Sequence, residues 1–357
     1  MLSLGIVGLP NVGKSTLFNA LTGSKQADAQ NYPFCTIEPN IGVVEVPDKR
    51  LGELSAVSNS AKTIPAAIEF VDIAGLVKGA SEGEGLGNKF LSNIREVDAI
   101  VHVVRAFSDS NISHVHSKVD PKEDASIINL ELIMADLQTV DNSLNKTKKQ
   151  AKGATLKDCK IKLNLLERLK QHLEAGKRVE KLEYSGEEVK ILKELYLLTA
   201  KPMLYIVNID DPTETNRNSI EIESGVPHVM VCAKLESELA ELEKEEKQQY
   251  MADVGLTSSG LDKIIVEGYS LLNLETFFTS GEPETRAWTV KKDTKAPEAA
   301  GVIHTDFIKG FIKAEVVIWQ DFIDYSGWVG AREKGKIRLE GKDYIIRDGD
   351  VCYFHIK

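Results

Sequence analysis

Cysteines, aromatic residues and long hydrophobic runs are all scarce in this sequence. Its 357 residues include only four cysteines, at positions 35, 159, 232 and 352, and their spacing fits neither a disulfide framework nor a metal-binding motif. Reduced thiols are therefore expected. No apolar run approaches the ~20 residues of a membrane span, and the chain opens with a core-type strand rather than a signal peptide. We predict a cytoplasmic protein with no membrane partner.

Positive charge is also in deficit. The 44 lysines and arginines are outnumbered by 54 acidic residues, which gives a net charge of −10. This balance argues against attraction of nucleic acid by the whole surface, but it leaves room for a local basic patch. The length exceeds that of one typical core, so two or three domains are expected.

A phosphate-binding loop stands near the start of the chain. Residues 8–15, GLPNVGKS, follow a short apolar run and precede a helix-like segment, the context expected for G-x-x-x-x-G-K-[ST]. Backbone N–H groups of such a loop surround phosphates, and a side chain at Gly8 or Gly13 would block their approach. Lys14 would reach the β- and γ-phosphate oxygens, and Ser15 would hold Mg²⁺. An incidental glycine-rich turn is the alternative.

Two later segments have the positions of nucleotide-sensing switches. Thr36 lies in a polar loop before a strand-like run, and its hydroxyl could complete the Mg²⁺ shell, although a threonine before a strand is also common. Asp72 ends another strand-like run and could hold Mg²⁺ through water, while the Gly75 N–H could sense the γ-phosphate. Five glycines between residues 75 and 87 suit a loop that orders with that phosphate.

The residue that would orient the attacking water is not evident. Leu76 stands where Ras-like enzymes have a glutamine, so hydrolysis must be slow or must use another group. His114 is a candidate because its loop follows the carboxyl end of a central strand; a surface histidine is the alternative. His102, inside that apolar strand, is expected to be a core residue with satisfied ring nitrogens.

A helical hairpin with a basic tip is predicted in the middle of the chain. Apolar residues recur there at alternating three- and four-residue spacing, and a partner helix follows. The seam residues are Leu130, Ile133, Leu137, Val140 and Leu144, with Leu166, Leu169 and Leu173 in the partner. Residues 146–162, here called the hairpin tip, hold seven lysines and one acid. We expect the tip to contact a polyanion, with a solvated turn as the alternative.

The remaining segments predict a base-binding region and a separate C-terminal module. Asn208 and Ile209, followed by two aspartates, stand where guanine-specific GTPases have Asn-Lys-x-Asp; the lysine is missing, and Asp211 keeps the acid. Residues 229–234 resemble the last base-side loop of that superfamily. From about residue 274, short β-rich runs, including residues 344–346, and one helix predict a compact α+β module of the β-grasp type.

Together with residues 286–288 and 301–307, these motifs resemble the YchF type of Obg-like ATPase over essentially the whole chain. The resemblance implies an α/β fold in three parts. These are a phosphate-loop NTPase domain at residues 1–123 and 200–273, an inserted antiparallel helical hairpin at 124–199, and a β-grasp-like TGS domain at 274–357. It also implies a Mg²⁺-dependent ATPase that prefers ATP to GTP and associates with the ribosome and ribosomal RNA as a switch in translation or stress regulation. We expect a monomer.

The resemblance also assigns roles to individual residues. Phosphate contacts fall on Asn11, Val12, Gly13, Lys14, Ser15 and Thr16. Mg²⁺ falls on Ser15 and Thr36, with Asp72 nearby, and the base lies by Asn208 and Ile209. Lys14, Gly75 and His114 form the expected catalytic set. Asn11 matches an asparagine that helps bind K⁺ in potassium-stimulated relatives, and Asp211 departs from the more common glutamate.

Two other functions stay open. One is a GTPase that prefers GTP. The other is an RNA- or ribosome-binding module whose bound ATP mainly fixes its shape, with incidental hydrolysis. Leu76 favours the binding module, whereas the glycine-rich switch segment favours the ATPase.

Overall fold

The computed structural model describes residues 2–25, 40–73, 86–108, 119–151, 156–211 and 220–357. The strands are β1 (Ser3–Val7), β2 (Ile41–Glu45), β3 (Thr63–Ile64), β4 (Ala67–Asp72), β5 (Ala99–Arg105), β6 (Met203–Asn208), β7 (His228–Val231), β8 (Leu274–Ser280), β9 (Thr285–Lys291), β10 (Phe311–Ile318), β11 (Arg338–Glu340) and β12 (Asp350–Ile356).

The helices are α1 (Lys14–Lys25), α2 (Lys49–Ser58), α3 (Leu86–Glu96), α4 (Pro121–Gln150), α5 (Leu156–Glu174), α6 (Gly186–Leu195), α7 (Ala233–Ala240), α8 (Lys244–Asp253), α9 (Gly260–Leu271), α10 (Ala296–Ile303), α11 (Asp306–Gly310), α12 (Trp319–Asp324) and α13 (Trp328–Glu333). Short 3₁₀ helices at Val179–Lys181 and Leu198–Ala200 complete the described elements.

The first sheet has the strand order β2-β4-β1-β5-β6-β7, and every pairing in it is parallel except that of β2 with β4. All residues of β1, β5 and β6 are buried. Continuous burial of this kind is typical of a parallel sheet that is covered on both faces. Because the strands run the same way, the loops after β1, β5, β6 and β7 meet at one edge, which is the usual ligand side.

Helix α4 belongs to the first sheet at its start and to the hairpin at its end. The Asp120 carboxylate accepts the N–H groups of Lys122 and Glu123 and so begins the helix. Its first turns bury Ile128 and Leu132 in the core of the first sheet. Later residues of α4 pack against α5 in a separate hairpin core. The fully buried members of that core are Val140, Leu165, Leu166, Leu169 and Val179.

Leu130 lies outside both of these cores. Its side chain is 56% exposed, so the prediction that it belongs to the hairpin seam was wrong. The physical reason is that α4 still packs on the sheet at this level, and its buried face there is set by Ile128 and Leu132. The seam between the two hairpin helices starts one turn later, at Ile133.

The second sheet has the order β11-β10-β12-β8-β9-β3. Its last strand, β3, comes from the segment between α2 and β4, and Thr63 pairs with Thr285 in parallel register. The predicted run at residues 344–346 is not a strand, because only Ile345 forms an isolated bridge, with Lys295. Helix α10 packs on this sheet through Ala296, Ala299 and Ala300.

The domain limits given above stay predictions. One consequence of the topology is that β3, within the first predicted domain, completes the sheet of the last one. No helix within the described ranges is both long enough and apolar enough to cross a membrane.

Candidate nucleotide-binding site

A cavity of about 900 Å³ opens at the carboxyl edge of the first sheet. Four loops line it: the phosphate loop and the segments that follow β5, β6 and β7. The lining residues are Asn11, Gly13, Lys14, Ser15, Thr16, Phe107, Ser108, Asn208, Ile209, Asp210, Cys232, Ala233, Lys234, Ser237 and Glu238. Val12 buries its side chain in the core, so its predicted phosphate contact would have to come from its backbone and stays a prediction.

The glycines of the phosphate loop are required by the packing of the loop itself. A Cβ on Gly13 would lie 2.4 Å from the Asn208 side-chain nitrogen, and Gly13 has φ +98°. A Cβ on Gly8 would lie 2.4 Å from the carbonyl oxygen of Val103, in β5. Both distances are too short for real carbon contacts. The need for glycine therefore arises from the neighbouring strands, in addition to the approach of a phosphate.

The backbone of the phosphate loop holds the Lys14 side chain in place. Its Nζ donates a hydrogen bond of 2.7 Å to the carbonyl oxygen of Leu9, and the residue is only 8% exposed. Burial lowers the pKa of Lys14, and the negative charge of Asp72 partly opposes that shift. A desolvated ammonium next to a helix N-terminus interacts strongly with anionic oxygens.

Ser15 and Asp72 form the part of the predicted Mg²⁺ site that the structure describes. The Ser15 hydroxyl donates to Oδ2 of Asp72 over 3.3 Å. The other carboxylate oxygen, Oδ1, is buried and has no hydrogen-bond partner among the described residues. A hydroxyl and an unsatisfied carboxylate oxygen fit Mg²⁺, which takes few protein ligands and prefers oxygen. The described part of the chain holds no cluster of three or more His, Cys, Asp or Glu side chains suited to a metal.

Asn208 joins two of the loops that line the cavity. Its Nδ2 donates to the carbonyl oxygen of Val12 over 2.9 Å, and its Oδ1 accepts the N–H of Ala233 over 3.0 Å. The side chain is buried, so both bonds form away from water. Asn208 therefore fixes the phosphate loop relative to the start of α7.

The base side of the cavity combines apolar and paired polar groups. Ile209 is buried and lines the cavity. The guanidinium of Arg105 lies 4.2 Å from the ring centre of Phe107, which fixes this aromatic side chain at the end of β5. Asp210 accepts the N–H of Ser108 over 3.0 Å. Asp211 lines an adjoining cavity of about 390 Å³ instead.

Sequence reasoning missed several of these cavity-lining residues. Phe107, Ser108 and Asp210 each follow a strand that ends at the ligand edge, and that position was the available signal. Lys234 belongs to the base-side loop that residues 229–234 predicted, whereas Ser237 and Glu238 lie further along α7, whose orientation is set by the Asn208 bond to Ala233. No local motif indicates that orientation.

Thr36, Gly75, Leu76 and His114 lie outside the described residues, and their roles stay predictions. His102 is fully buried as expected, but the prediction of satisfied ring nitrogens was wrong. Neither nitrogen has a hydrogen-bond partner in the described part of the chain. Burial, with the positive charges of Arg178 and Lys14, lowers the pKa of His102 to about 3, so the ring stays neutral.

A parallel sheet whose first strand leads through a glycine loop into a helix, with a serine and an aspartate at its edge, defines a phosphate-loop nucleotide-binding fold. A family model described as 50S ribosome-binding GTPase matches residues 3–146. The YchF-GTPase_C model, described as a protein of unknown function, matches residues 274–357.

Full-length relatives agree with these matches. A Bacillus subtilis protein named ribosome-binding ATPase YchF is 54% identical, over 99% of this chain and 98% of its own. The protein of the same name from Escherichia coli O157:H7 is 51% identical over 98% of each chain. The structure of the Schizosaccharomyces pombe YchF GTPase matches with a TM-score of 0.88 and 41% identity, over 99% of this chain and 97% of that one. The chain belongs to the YchF family. The predicted family and fold class are confirmed.

Proposed function

We propose that the protein is a ribosome-binding ATPase that binds and hydrolyses ATP at the carboxyl edge of its first sheet. The observation that carries this proposal is the cavity of about 900 Å³ lined by Lys14 and Ser15, with Asp72 hydrogen-bonded to Ser15. The relatives named ribosome-binding ATPase YchF support it, because they are more than 50% identical over nearly the whole chain.

The phosphate loop binds the triphosphate. Backbone N–H groups from Gly13 to Thr16 and the Lys14 ammonium face phosphate oxygens at the start of α1. Ser15 and Asp72, joined by Thr36, would hold Mg²⁺, which would supply positive charge against the β- and γ-phosphate oxygens. Asn11 is the residue through which K⁺ could act.

The base end of the cavity is proposed to favour adenine. Ile209 and Phe107 offer apolar surface to either purine. A carboxylate that accepts from guanine N1 and N2 would favour GTP, but Asp211 lines the adjoining cavity and Asp210 already accepts the Ser108 N–H. We expect a modest preference for ATP, because an apolar slot separates similar shapes by only about 1–3 kcal/mol.

Hydrolysis transfers the γ-phosphoryl group to water, which breaks its bond to the β-phosphate oxygen and releases ADP and phosphate. Leu76 cannot orient that water, so His114 is proposed to position it, and the Gly75 N–H to contact the γ-phosphate. Both residues lie outside the described ranges.

The ribosome is proposed to be contacted through the hairpin tip and the C-terminal unit. Lys146, Lys148 and Lys149 are exposed at the end of α4, which suits ribosomal RNA on an otherwise acidic protein. We further propose that the protein acts as a monomer in the cytoplasm.

Single-turnover hydrolysis of ATP with and without ribosomes tests this function. The proposal predicts that ribosomes accelerate phosphate release, and that Lys14→Ala removes turnover in both conditions. Equal rates with and without ribosomes, combined with ATP-dependent ribosome binding, would instead identify the binding module with incidental hydrolysis.

A further inference from the structure

A second cavity lies at the base of the hairpin, away from the nucleotide-binding residues. Its volume is about 780 Å³, within the range of small-molecule sites. One wall comes from α4, and the opposite wall comes from the end of α5 and the segment that follows it. The lining residues are Ser126, Asn129, Leu130, Ile133, His172, Gly176, Lys177, Arg178, Lys181 and Glu223.

Cations dominate the polar part of this wall. Lys177, Arg178 and Lys181 face a single lining carboxylate, that of Glu223. Lys181 bonds Glu223 over 2.8 Å, and Arg178 lies 3.4 Å from Glu223 and 3.3 Å from Glu180. Lys177 is exposed and forms no ion pair with any described residue. One cation of the wall is therefore uncompensated.

Arg178 is the unusual member of the cluster. Its side chain is only 3% exposed, and its Nη2 makes the contacts with both glutamates. Its Nε and Nη1 are buried and have no hydrogen-bond partner among the described residues. An unsatisfied buried donor destabilises the fold, and more so when it is charged. An acceptor of negative charge at this wall would remove that destabilisation.

The α4 wall combines the apolar residues Leu130 and Ile133 with the polar residues Ser126 and Asn129. Leu130 is more than half exposed and Ile133 lies one turn away, so the cavity offers hydrophobic surface opposite the cations. A bare inorganic anion would leave most of the volume and this apolar surface unused. A ligand with an anionic group at one end and an apolar or aromatic part at the other matches both walls.

We propose that this cavity binds a small phosphomonoester, with its phosphate at Lys177 and Arg178 and its organic part against Leu130. A phosphate monoester has three terminal oxygens, which match the Lys177 ammonium and the two unpartnered Arg178 nitrogens, with three N–H bonds between them, better than the two oxygens of a carboxylate. The phosphate could belong to a free small molecule or, as a terminal phosphate, to an RNA, because the backbone phosphates of RNA are diesters with only two terminal oxygens. The size of the cavity favours the small molecule.

Phenyl phosphate is a suitable probe, because it has both parts of the proposed ligand. Calorimetric titration uses the full chain with its nucleotide site saturated by Mg²⁺ and a non-hydrolysable ATP analogue. We expect Lys177→Gln to weaken phenyl phosphate binding by about tenfold, the value of one charge-assisted hydrogen bond. Lys190→Gln is the matched control, because Lys190 is an exposed lysine of α6 outside the cavity, and it should leave binding unchanged.

The variant Leu130→Gln distinguishes the contribution of the α4 wall to binding from that of the basic wall. It should weaken phenyl phosphate but leave the affinity for inorganic phosphate unchanged, since Leu130 contacts only the organic part. Two results would overturn the proposal: no heat of binding at about 10 mM phenyl phosphate, or equal losses for Lys177→Gln and Lys190→Gln. Displacement of the probe by a short single-stranded RNA that binds more tightly and depends on Lys177 would assign the phosphate to RNA, against a small-molecule site.

Discussion

The two sheets have the same number of strands but leave their polar groups in different states. At the carboxyl edge of the first sheet, Lys14 and Ser15 line a cavity, and Asp72, bonded to Ser15, keeps one oxygen with no partner in the described chain. Where the second sheet joins α2, hydroxyl groups satisfy one another: Ser60 lies 2.8 Å from Thr285, and Thr285 lies 2.6 Å from Ser280. The edge of the first sheet therefore leaves polar groups available to a ligand, whereas the junction of the second sheet with α2 uses its polar groups to hold the structure together.

Arg50 shows how the joint is held. Its guanidinium bonds Asp48, the N-cap of α2, over 2.7 Å, and Asp348 of the loop before β12 over 2.6 Å. Burial alone would lower the pKa of Arg50, but the hydrogen bonds to the two carboxylates outweigh it and raise that pKa. Paired charges of this kind fix the position of α2 relative to the second sheet, whereas unpaired polar groups at the edge of a sheet can bind a ligand.

The largest expected effect is at Lys14. Lys14→Ala should lower ATP turnover by about 10²-fold or more, because the variant loses the ammonium that meets the phosphate charge. Turnover and analogue affinity, measured beside the exposed-lysine control Lys190→Ala, check this. Unchanged turnover and affinity in Lys14→Ala would contradict the assignment of the nucleotide-binding site to the edge of the first sheet.

Asn208→Ala should have the next largest effect. Two buried hydrogen bonds are lost, and the Val12 carbonyl and the Ala233 N–H are left unpaired, so the free energy of unfolding should fall by about 2–4 kcal/mol. Affinity for an ATP analogue should fall as well, because the two loops lose their connection. Urea unfolding beside Asn145→Ala, an exposed asparagine of α4, provides the comparison. Similar stability of the two variants would contradict the role given to Asn208.

These two residues also show how far sequence alone reaches. Lys14 and its loop could be predicted, because their chemistry depends on consecutive residues. The connection made by Asn208 could not, because it joins residues 196 positions apart. Packing likewise determined the exposure of Leu130, which fits the helical period of apolar residues but is exposed to solvent.

Glu236 shows the same limit for composition. The acidic run at residues 236–246 is typical of a solvated helix, but it is divided between α7 and α8, and Glu236 is buried and accepts the N–H of Gly260. A charged residue is expected at the surface unless a distant donor meets it, and the sequence does not show that donor. The same limit applies to β3, whose partner strand β9 lies more than 200 residues later.

A pH effect of intermediate size is expected from His102, whose ring nitrogens have no hydrogen-bond partner among the described residues, in contrast to the paired Arg50. Its folded pKa of about 3 lies below the unfolded value near 6.5, so unfolding takes up a proton between these limits. The contribution of His102 to the free energy of unfolding is therefore fully present above pH 6.5. It is lost as the pH falls below that value, by at most about 1.4 kcal/mol per pH unit. Urea unfolding at pH 7, 6 and 5 should show a shallower loss for His102→Leu than for the parent or for His228→Leu, which removes an exposed histidine. Identical losses of stability with falling pH in His102→Leu and the parent would rule out His102 as the source of the pH dependence.

The smallest effect is expected at the hairpin tip, which belongs to neither sheet. Replacing Lys148, Lys149 and Lys152 with glutamine should shift the salt midpoint of ribosome cosedimentation to lower salt and flatten its slope, because each lost phosphate contact removes about 0.7–0.9 from that slope. Lys148 also pairs with Glu167 over 3.2 Å, so its own contribution should be the weakest of the three. An unchanged midpoint would leave the tip as a solvated turn.

The most direct test of the account is a paired titration of the protein with non-hydrolysable ATP and GTP analogues in the presence of Mg²⁺. Binding of ATP in the cavity between Lys14 and Ile209 predicts a tighter ATP complex, by about 1–3 kcal/mol, that Asp211→Ala leaves unchanged. Tighter binding of the GTP analogue, lost in Asp211→Ala, would contradict it and would make this protein a GTPase.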